Sequence, residues 1–157
     1  MRKVYMELVL TVLMLISAAC GYAVETGEPV GNKITEEIWR LEEAYFTRLY
    51  QADYEGVLKL THPQFLGWPQ AQAGPLDFEA SSRFMKQLIP GPTPCKIKIT
   101  RAGIRVAGNT ALTQYDLHVD CGRAPDAKPI RPSRITHTWI HDGVRWRLLG
   151  GMSCEVK

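Results

Sequence analysis

The end of the chain, residues 135–154, constrains the fold more than any other segment. It consists of two runs in which large apolar residues alternate with polar ones, joined by an Asp-Gly dipeptide at 142–143. Asp-Gly between two such runs favours a β-hairpin with a two-residue turn. That turn would place Trp139 opposite Trp146, so the segment predicts a pair of antiparallel strands.

The same register assigns a face to each side chain of the hairpin. His137 would lie opposite Leu148, and side chains two apart on a strand point the same way. The predicted inward face is therefore His137, Trp139, Trp146 and Leu148. Two indoles and an imidazole on one face are typical of the wall of a core or a pocket.

A second hairpin is predicted from residues 95–106 and 110–121, which join at a Gly-Asn turn. The apolar positions of the first strand change parity near residues 101–103, which predicts a β-bulge with one extra residue. Beyond the bulge, Cys95 lies opposite Cys121, close enough for a disulfide. Two unlinked buried thiols remain the alternative. Cys154 shares the parity of the inward face of the last hairpin, so a buried structural thiol is expected there.

The first 19 residues resemble a secretory signal, with Arg2 and Lys3 before a short apolar run. Cleavage before Cys20 would give a lipidated N-terminus, whereas cleavage after Ala23 would release a soluble protein. Either cut predicts export, with a periplasmic or lipid-anchored product. Residues 20–33, rich in Gly and Pro, are expected to form a flexible tether ahead of a single domain at 34–157.

Helices are predicted at 34–51, 54–60 and 77–88 from apolar residues at helical spacing. Thr35 and Asp53 are the expected N-caps of the first two. A short extended piece follows at 64–69, and loops are expected at 70–75 and 125–132. Helices precede the long strands in the chain, so the pattern predicts an α+β fold with a sheet that curves around the helices.

Four segments in this order resemble the nuclear transport factor 2-like superfamily, and its SnoaL-like branch of unknown function in particular. They are the helical stretch that begins at Glu36, the segment His62–Trp68, the turn at 107–112 and the last hairpin. Together they span about residues 34–156. The resemblance implies a cone-shaped, cystatin-like roll with a central pocket. It does not settle function, because related domains include isomerases, dehydratases, cyclases and non-catalytic modules.

A pocket in such a fold would draw on aromatic and histidine side chains from the helices and the sheet. The candidate ligand-binding residues are Tyr45, Tyr50, His62, Trp68, Tyr115, His137, Trp139 and Trp146. His137 is the candidate catalytic acid or base, since burial between indoles would favour its neutral form. A core histidine bonded to backbone or to a tyrosine is the alternative. Asp116, His118 and Asp120 have the parity of the outer face, which departs from the isomerase pattern of inward carboxylates.

Three functions are compatible with these patterns. We favour a non-catalytic module that binds a small apolar or amphipathic molecule. The alternatives are a cofactor-free isomerase, dehydratase or cyclase that uses His137, and an association domain that forms a homodimer through the outer face of the sheet. A net charge of +3 and the lack of an aromatic-interleaved basic stripe give no reason to expect nucleic acid. No ligand spacing predicts a metal or cofactor, and membrane contact is expected only through a lipid on Cys20.

Overall fold

The computed structural model describes residues 30–122 and 132–156, which form an α+β domain. Its elements, in chain order, are α1 (Val30–Tyr50), α2 (Tyr54–Leu60), β1 (Thr61–Trp68), β2 (Leu76–Asp77), α3 (Phe78–Leu88), β3 (Lys96–Ala107), β4 (Thr110–Asp120), β5 (Ser133–His141) and β6 (Trp146–Glu155). The strands make one sheet in the order β2-β1-β6-β5-β4-β3. Every neighbouring pair is antiparallel except β1 and β6. The predicted fold class is confirmed.

Helix α1 starts earlier than the sequence suggested. It begins at Val30, so Thr35 lies inside the helix, where its hydroxyl donates to the carbonyl of Asn32 at 2.9 Å. A threonine can return its hydroxyl to the preceding turn in this way, and the prediction that Thr35 caps the helix is wrong. Residues 30–33 of the predicted tether are helical. The rest of the tether, Cys20 and the signal segment lie outside the described residues.

The two shorter helices have the caps that a sequence pattern can indicate. Helix α2 has the predicted bounds, and the Asp53 carboxylate accepts from the amide of Gly56 at 2.9 Å. Helix α3 begins one residue after Asp77, whose carboxylate accepts from the amide of Ala80 at 2.8 Å. These bonds satisfy amides that have no partner inside a helix. They fix where the chain enters each helix that covers the sheet.

Strands β3 and β4 have the predicted register. Ala107 pairs with Thr110 across the turn, a bulge falls between Arg101 and Gly103, and the pairing then shifts by one residue. Cys95 and Cys121 form a disulfide at the far end of the pair. Both the bulge and the cysteine pairing are therefore confirmed.

The turn between β5 and β6 is longer than predicted. His141 pairs with Trp146, so the loop holds four residues, and Trp139 lies opposite Leu148 instead of Trp146. The reason is Asp142, whose carboxylate accepts from the amides of residues 144 and 145, both at 2.9 Å. This carboxylate turn stabilises a wider loop than the Asp-Gly dipeptide suggests. The two added residues preserve parity, so Trp139, Trp146 and Leu148 are still buried on one face.

A bulge in β6 then reverses the parity of the strand. Thr138 pairs with Gly150 and Trp139 with Leu148, so Leu149 is the extra residue. His137 consequently lies opposite Gly151, not Leu148. Beyond the bulge the inward and outward positions exchange, and Cys154 is exposed. The prediction of a buried thiol at Cys154 is wrong because it assumed one uninterrupted alternation.

The core lies between the helices and the inner face of the sheet. The largest side chains with almost no exposure are Trp139, Tyr115, Ile38, Leu148, Glu42, Val57 and Thr113. The outer face is polar on β4, as predicted: His118 and Asp120 are exposed, and Asp116 pairs with Arg134 at 2.9 Å. One member of the buried group is a carboxylic acid, and it defines the site.

Candidate ligand-binding site

Glu42 on α1 lies fully buried against the inner face of the sheet, with an exposed fraction of 0%. Each of its carboxylate oxygens meets two donors from the strands. Oε1 accepts from the Thr113 hydroxyl at 2.6 Å and the Trp139 indole at 2.7 Å. Oε2 accepts from the Tyr115 hydroxyl and from Nδ1 of His137, both at 2.7 Å. Four donors thus replace the water that the carboxylate loses on burial.

Sequence reasoning missed Glu42, although a signal was present. The residue stands four positions after Ile38 and three before Tyr45, on the stripe of α1 that faces the sheet. An acidic residue on an apolar stripe must be either paired or protonated. Its partners could not be named from the sequence, because they come from two strands distant in the chain.

The charge state of Glu42 follows from these contacts. Burial alone would raise its pKa, but His137 and the other donors that hydrogen-bond to the carboxylate hold that pKa below its ordinary value. Glu42 is therefore ionised, and Oε2 requires a proton on Nδ1 of His137. This arrangement leaves Nε2 as the atom of the imidazole that can exchange a proton with a ligand.

Nε2 of His137 is accessible from a cavity. Nδ1 faces Glu42 and Tyr115, and Nε2 has no hydrogen bond to any described residue. Every fully buried side-chain nitrogen or oxygen in this part of the chain has a partner, so Nε2 must be an exposed atom of a mostly buried ring. The predicted register of the last hairpin indicated neither the Glu42 carboxylate nor the orientation of the imidazole. Nδ1 of His137 is bonded to Glu42, and Nε2 has no partner among the described residues.

The cavity has a volume of about 320 Å³ and lies between α1, α3 and the sheet. Its walls are mostly apolar and are formed by Tyr45, Phe46, Leu49, Tyr50, Phe65, Gly67, Trp68, Pro69, Gln70, Ala71, Ser81, Phe84, Met85, Leu88, Leu117, Val119, Ser133, Ile135, His137, Gly151, Met152 and Ser153. None of the described residues that line it is Lys, Arg, Asp or Glu. A ligand therefore meets aromatic and aliphatic surface and a small number of neutral polar groups.

Tyr45 contributes one of those polar groups. Its ring stands edge-on to His137 with 5.7 Å between the ring centres, and its hydroxyl contacts only the sulfur of Met85, at 3.9 Å. A thioether is a weak acceptor, so this hydroxyl can turn to a better one. Burial, reinforced by the nearby charge of Glu42, raises the pKa of Tyr45, which keeps the phenol protonated as a donor.

The structure brings together four of the eight residues predicted to line a pocket: Tyr45, Tyr50, Trp68 and His137. The other four lie elsewhere. Tyr115 and Trp139 are beneath the cavity, where both donate to Glu42. Trp146 lies on the opposite side of the core in a smaller cleft, and Nδ1 of His62 accepts from the amide of Gln64 at the surface.

These differences have one physical cause. Parity correctly assigns Trp139 and Trp146 to the inner face, but it does not say which part of that face is open. Helix α1 covers Trp139, which donates to Glu42, whereas residues of α3 and Gly151 line the open cavity. The residues that line the cavity and were missed, such as Phe65, Ser81 and Met85, are on elements whose packing cannot be deduced from local periodicity.

Comparison with known proteins gives the fold. No protein-family model matches the sequence, and no curated protein matches it. Solved structures do. A putative dehydratase from the NTF2-like family of Streptomyces avermitilis is 15% identical, with 81% of this chain and 99% of that chain covered and a TM-score of 0.69. The chain has the NTF2-like fold.

Two further structures support the same conclusion. An NTF2-like protein of unknown function from Pseudomonas putida KT2440 is 15% identical over 78% of this chain and 86% of that chain, with a TM-score of 0.68. An NTF2-like protein with a cystatin-like fold from Novosphingobium aromaticivorans is 18% identical, covers 78% and 82%, and has a TM-score of 0.64. The predicted cystatin-like roll is confirmed, and such low identity carries no conclusion about function.

The described residues lack the features of two other kinds of site. No helix there is long and apolar enough to cross a bilayer. No three His, Cys, Asp or Glu side chains in residues 30–122 and 132–156 come together as a metal-binding group. The cavity with the Glu42–His137 pair at its base is the candidate site in this part of the chain.

Proposed function

We propose that this NTF2-like domain binds a small, mostly apolar organic molecule in the cavity, with one polar group of the ligand on Nε2 of His137. The observation that supports it is an unpartnered imidazole nitrogen in a mostly apolar cavity with no Lys, Arg, Asp or Glu among its described walls. Apolar walls supply affinity, and a few placed polar groups supply orientation.

The size of the cavity favours a ligand of about two rings. An engineered apolar cavity of about 150 Å³ in another protein accepts benzene. At about 320 Å³, this cavity has room for a naphthalene-sized body. A polar substituent on that body would meet His137, and the Tyr45 hydroxyl stands beside it as a second donor.

Titration with 2-naphthol, followed by calorimetry, tests the proposal. Val119 lines the cavity, and Val119→Phe should fill part of it and lower the affinity at least about tenfold, since bulk added to a filled site costs a few kcal/mol. His118→Phe is the matched control, because it makes a similar change one residue away on the exposed outer face. Equal affinities for the two variants, or no binding by wild type, would contradict a ligand in this cavity.

A second function, proton-transfer catalysis, is favoured by a separate observation: the hydrogen bond between the Glu42 carboxylate and Nδ1 of His137. A carboxylate on Nδ1 fixes the tautomer and the orientation of the imidazole, which leaves Nε2 free to accept a proton as a general base does. We propose that Nε2 removes a proton next to a carbonyl of the ligand while the Tyr45 hydroxyl donates to the enolate oxygen. The proton then returns from the imidazolium to carbon, so the step is balanced without a cofactor.

Deuterium exchange separates the two functions. With 2-tetralone in D₂O, NMR should show exchange next to the carbonyl at least about 100-fold faster than in buffer, the usual contribution of one positioned base. His137→Phe should remove the acceleration, and His118→Phe should leave it. A wild-type protein that binds 2-tetralone without accelerating exchange would be a binding module only.

Export and self-association stay predictions. The Cys95–Cys121 disulfide is compatible with an oxidising compartment, which supports our proposal that the protein is exported, as a soluble or lipid-anchored product. The homodimer is proposed to form through the outer face of β4 and β5. Subcellular fractionation of the full-length protein, followed by light scattering of the purified product, would test each in turn.

A further inference from the structure

We propose that Ser81 is a second polar contact for the ligand, so that the ligand carries two oxygen functions joined by an apolar body. This inference rests on the proposed binding function and names its ligand class. One oxygen would meet His137 at the base of the cavity, and the other would meet the Ser81 hydroxyl on the wall formed by α3.

Ser81 is a mostly buried residue whose hydroxyl has no partner among the described residues. Its exposed fraction is 7%, and it lines the cavity. No described residue forms a hydrogen bond with its side chain. Because every fully buried side-chain oxygen in this part of the chain has a partner, the Ser81 oxygen must be accessible, and the cavity it lines is where that access lies.

The free hydroxyl is unusual for a buried helical or helix-terminal position. Serine and threonine in such places commonly donate to the carbonyl four residues earlier. Thr61, at the end of α2, does this: its hydroxyl donates to the carbonyl of Val57 at 2.9 Å. Ser153 lines the same cavity, but its oxygen accepts from the amide of Gln70 at 2.9 Å. Ser81 makes neither kind of contact, so its donor and acceptor capacity is available to a ligand.

Two contacts of Tyr45 relate the positions of His137 and Ser81. Tyr45 connects them, since its ring is 5.7 Å from that of His137 and its hydroxyl touches the sulfur of Met85. Ser81 precedes Met85 by four residues on α3, about one helical turn or 6 Å along the axis. A ligand that reaches from His137 past Tyr45 to Ser81 therefore needs a rigid apolar body with an oxygen at each end.

The same walls argue that the ligand is uncharged when it binds. No Lys or Arg among the described lining residues could pair with an anion, and no Asp or Glu among them could pair with a cation. An unpaired charge in such a chamber would lose its hydration without compensation. Hydroxyl and carbonyl groups are the oxygen functions that fit.

The experiment compares naphthalene diols with 2-naphthol by calorimetry. The 1,5-, 2,6- and 2,7-dihydroxynaphthalenes vary the distance between the two oxygens on one body. We expect at least one diol to bind wild type about three- to tenfold more tightly than 2-naphthol, the usual effect of one neutral hydrogen bond. Ser81→Ala should abolish that advantage, so that the diol and 2-naphthol bind this variant with similar affinity.

Ser82→Ala is the matched control, since it makes the same change at the next position of α3, away from the cavity lining. It should preserve the preference for the diol. If 2-naphthol binds wild type but no diol binds more tightly, or if Ser81→Ala retains the preference, the Ser81 inference is wrong and the proposed binding function stands. If neither 2-naphthol nor any diol binds, both are wrong.

Discussion

Two neighbouring residues of β4 belong to two different carboxylate pairings, one on each face of the sheet. Tyr115 points inward and donates to Glu42, whereas Asp116 points outward and pairs with Arg134. The pKa of each carboxyl lies below its ordinary value. For Asp116 the main cause is the hydrogen bond from Arg134 at the surface. For Glu42, burial opposes ionisation, and His137 with the other donors overcomes it.

The comparison shows that two carboxyl groups whose pKa values shift in the same direction can contribute very differently to the stability of the fold. Water replaces either member of an exposed pair, so such pairs contribute little to stability. Water cannot reach the donors around Glu42, which would all lose their acceptor if the carboxylate were removed. The hydrogen bonds to Glu42 therefore hold the residues at the base of the cavity in place, whereas the Asp116–Arg134 pair contributes little to stability.

The largest effect should come from Glu42→Ala. It leaves four buried donors without an acceptor, so the free energy of unfolding should fall by about 3–5 kcal/mol. Urea denaturation measures this. Glu43→Ala is the control, because Glu43 is the exposed neighbour whose contact with Arg101 is 3.8 Å long. Similar losses for both variants would contradict a special role for the inner carboxylate.

Gly151→Ala should displace His137, at the base of the cavity, because the added methyl group approaches it from β6. A Cβ at Gly151 would lie 2.5 Å from Cδ2 of His137 and 2.2 Å from the carbonyl oxygen of Thr136. The strand or the imidazole must move, at a cost of about 1–3 kcal/mol. The carbon-bound proton resonances of His137 should shift in NMR spectra. Gly103→Ala, where a Cβ meets nothing within 4 Å, should leave them unchanged.

The contribution of Glu42 to the free energy of unfolding should decrease in acid. Its folded pKa is below the ordinary 4.5, so its contribution is present above that pH and is lost as the pH falls through the folded pKa. The difference in unfolding free energy between wild type and Glu42→Gln should therefore shrink as the pH decreases below about 4.5. Subtracting the variant removes the acid response of Asp116 and Asp142. A constant difference would show that Glu42 is already protonated.

The outer face should give the smallest effects. Asp116→Ala returns Arg134 to water, so the midpoint of urea unfolding should stay at the wild-type value. Cys154 offers a chemical check on the same face. Its thiol should react with Ellman's reagent in the folded protein, because it is exposed beyond the β6 bulge. A thiol that reacts only after unfolding would restore the buried assignment.

Much of the fold could be predicted because its signals are local. The register of β3 and β4, with its bulge and disulfide, could be predicted because the parity of the isoleucines changes at residues 101–103. The β6 bulge has no such mark, because Leu148 and Leu149 are both apolar. The Asp142 loop also misled the register, since its geometry depends on a side-chain acceptor and not on the Asp-Gly dipeptide alone.

The candidate site was only half predictable. Alternation identified His137 as inward, and helical spacing identified Tyr45. Glu42 was missed because a buried acid needs partners from other elements, and periodicity does not report which strand lies beneath a helix. Ser81 was missed for a related reason: its significance is the lack of a partner, which only the assembled walls reveal.

The extra residue at Leu149 shifts the alternation of inward and outward side chains in β6 by one position. Before it, the strand turns Trp146 and Leu148 inward and fills the core; after it, the inward positions pass to Gly151 and Ser153. Uninterrupted alternation would have sent Met152 inward in their place, where its side chain would occupy space beside His137. Met152 is instead 60% exposed. Met152 contributes to the cavity wall, but the extra residue keeps its side chain out of the space beside His137. Deleting Leu149 should turn Gly151 and Ser153 away from the cavity and place Met152 in that space.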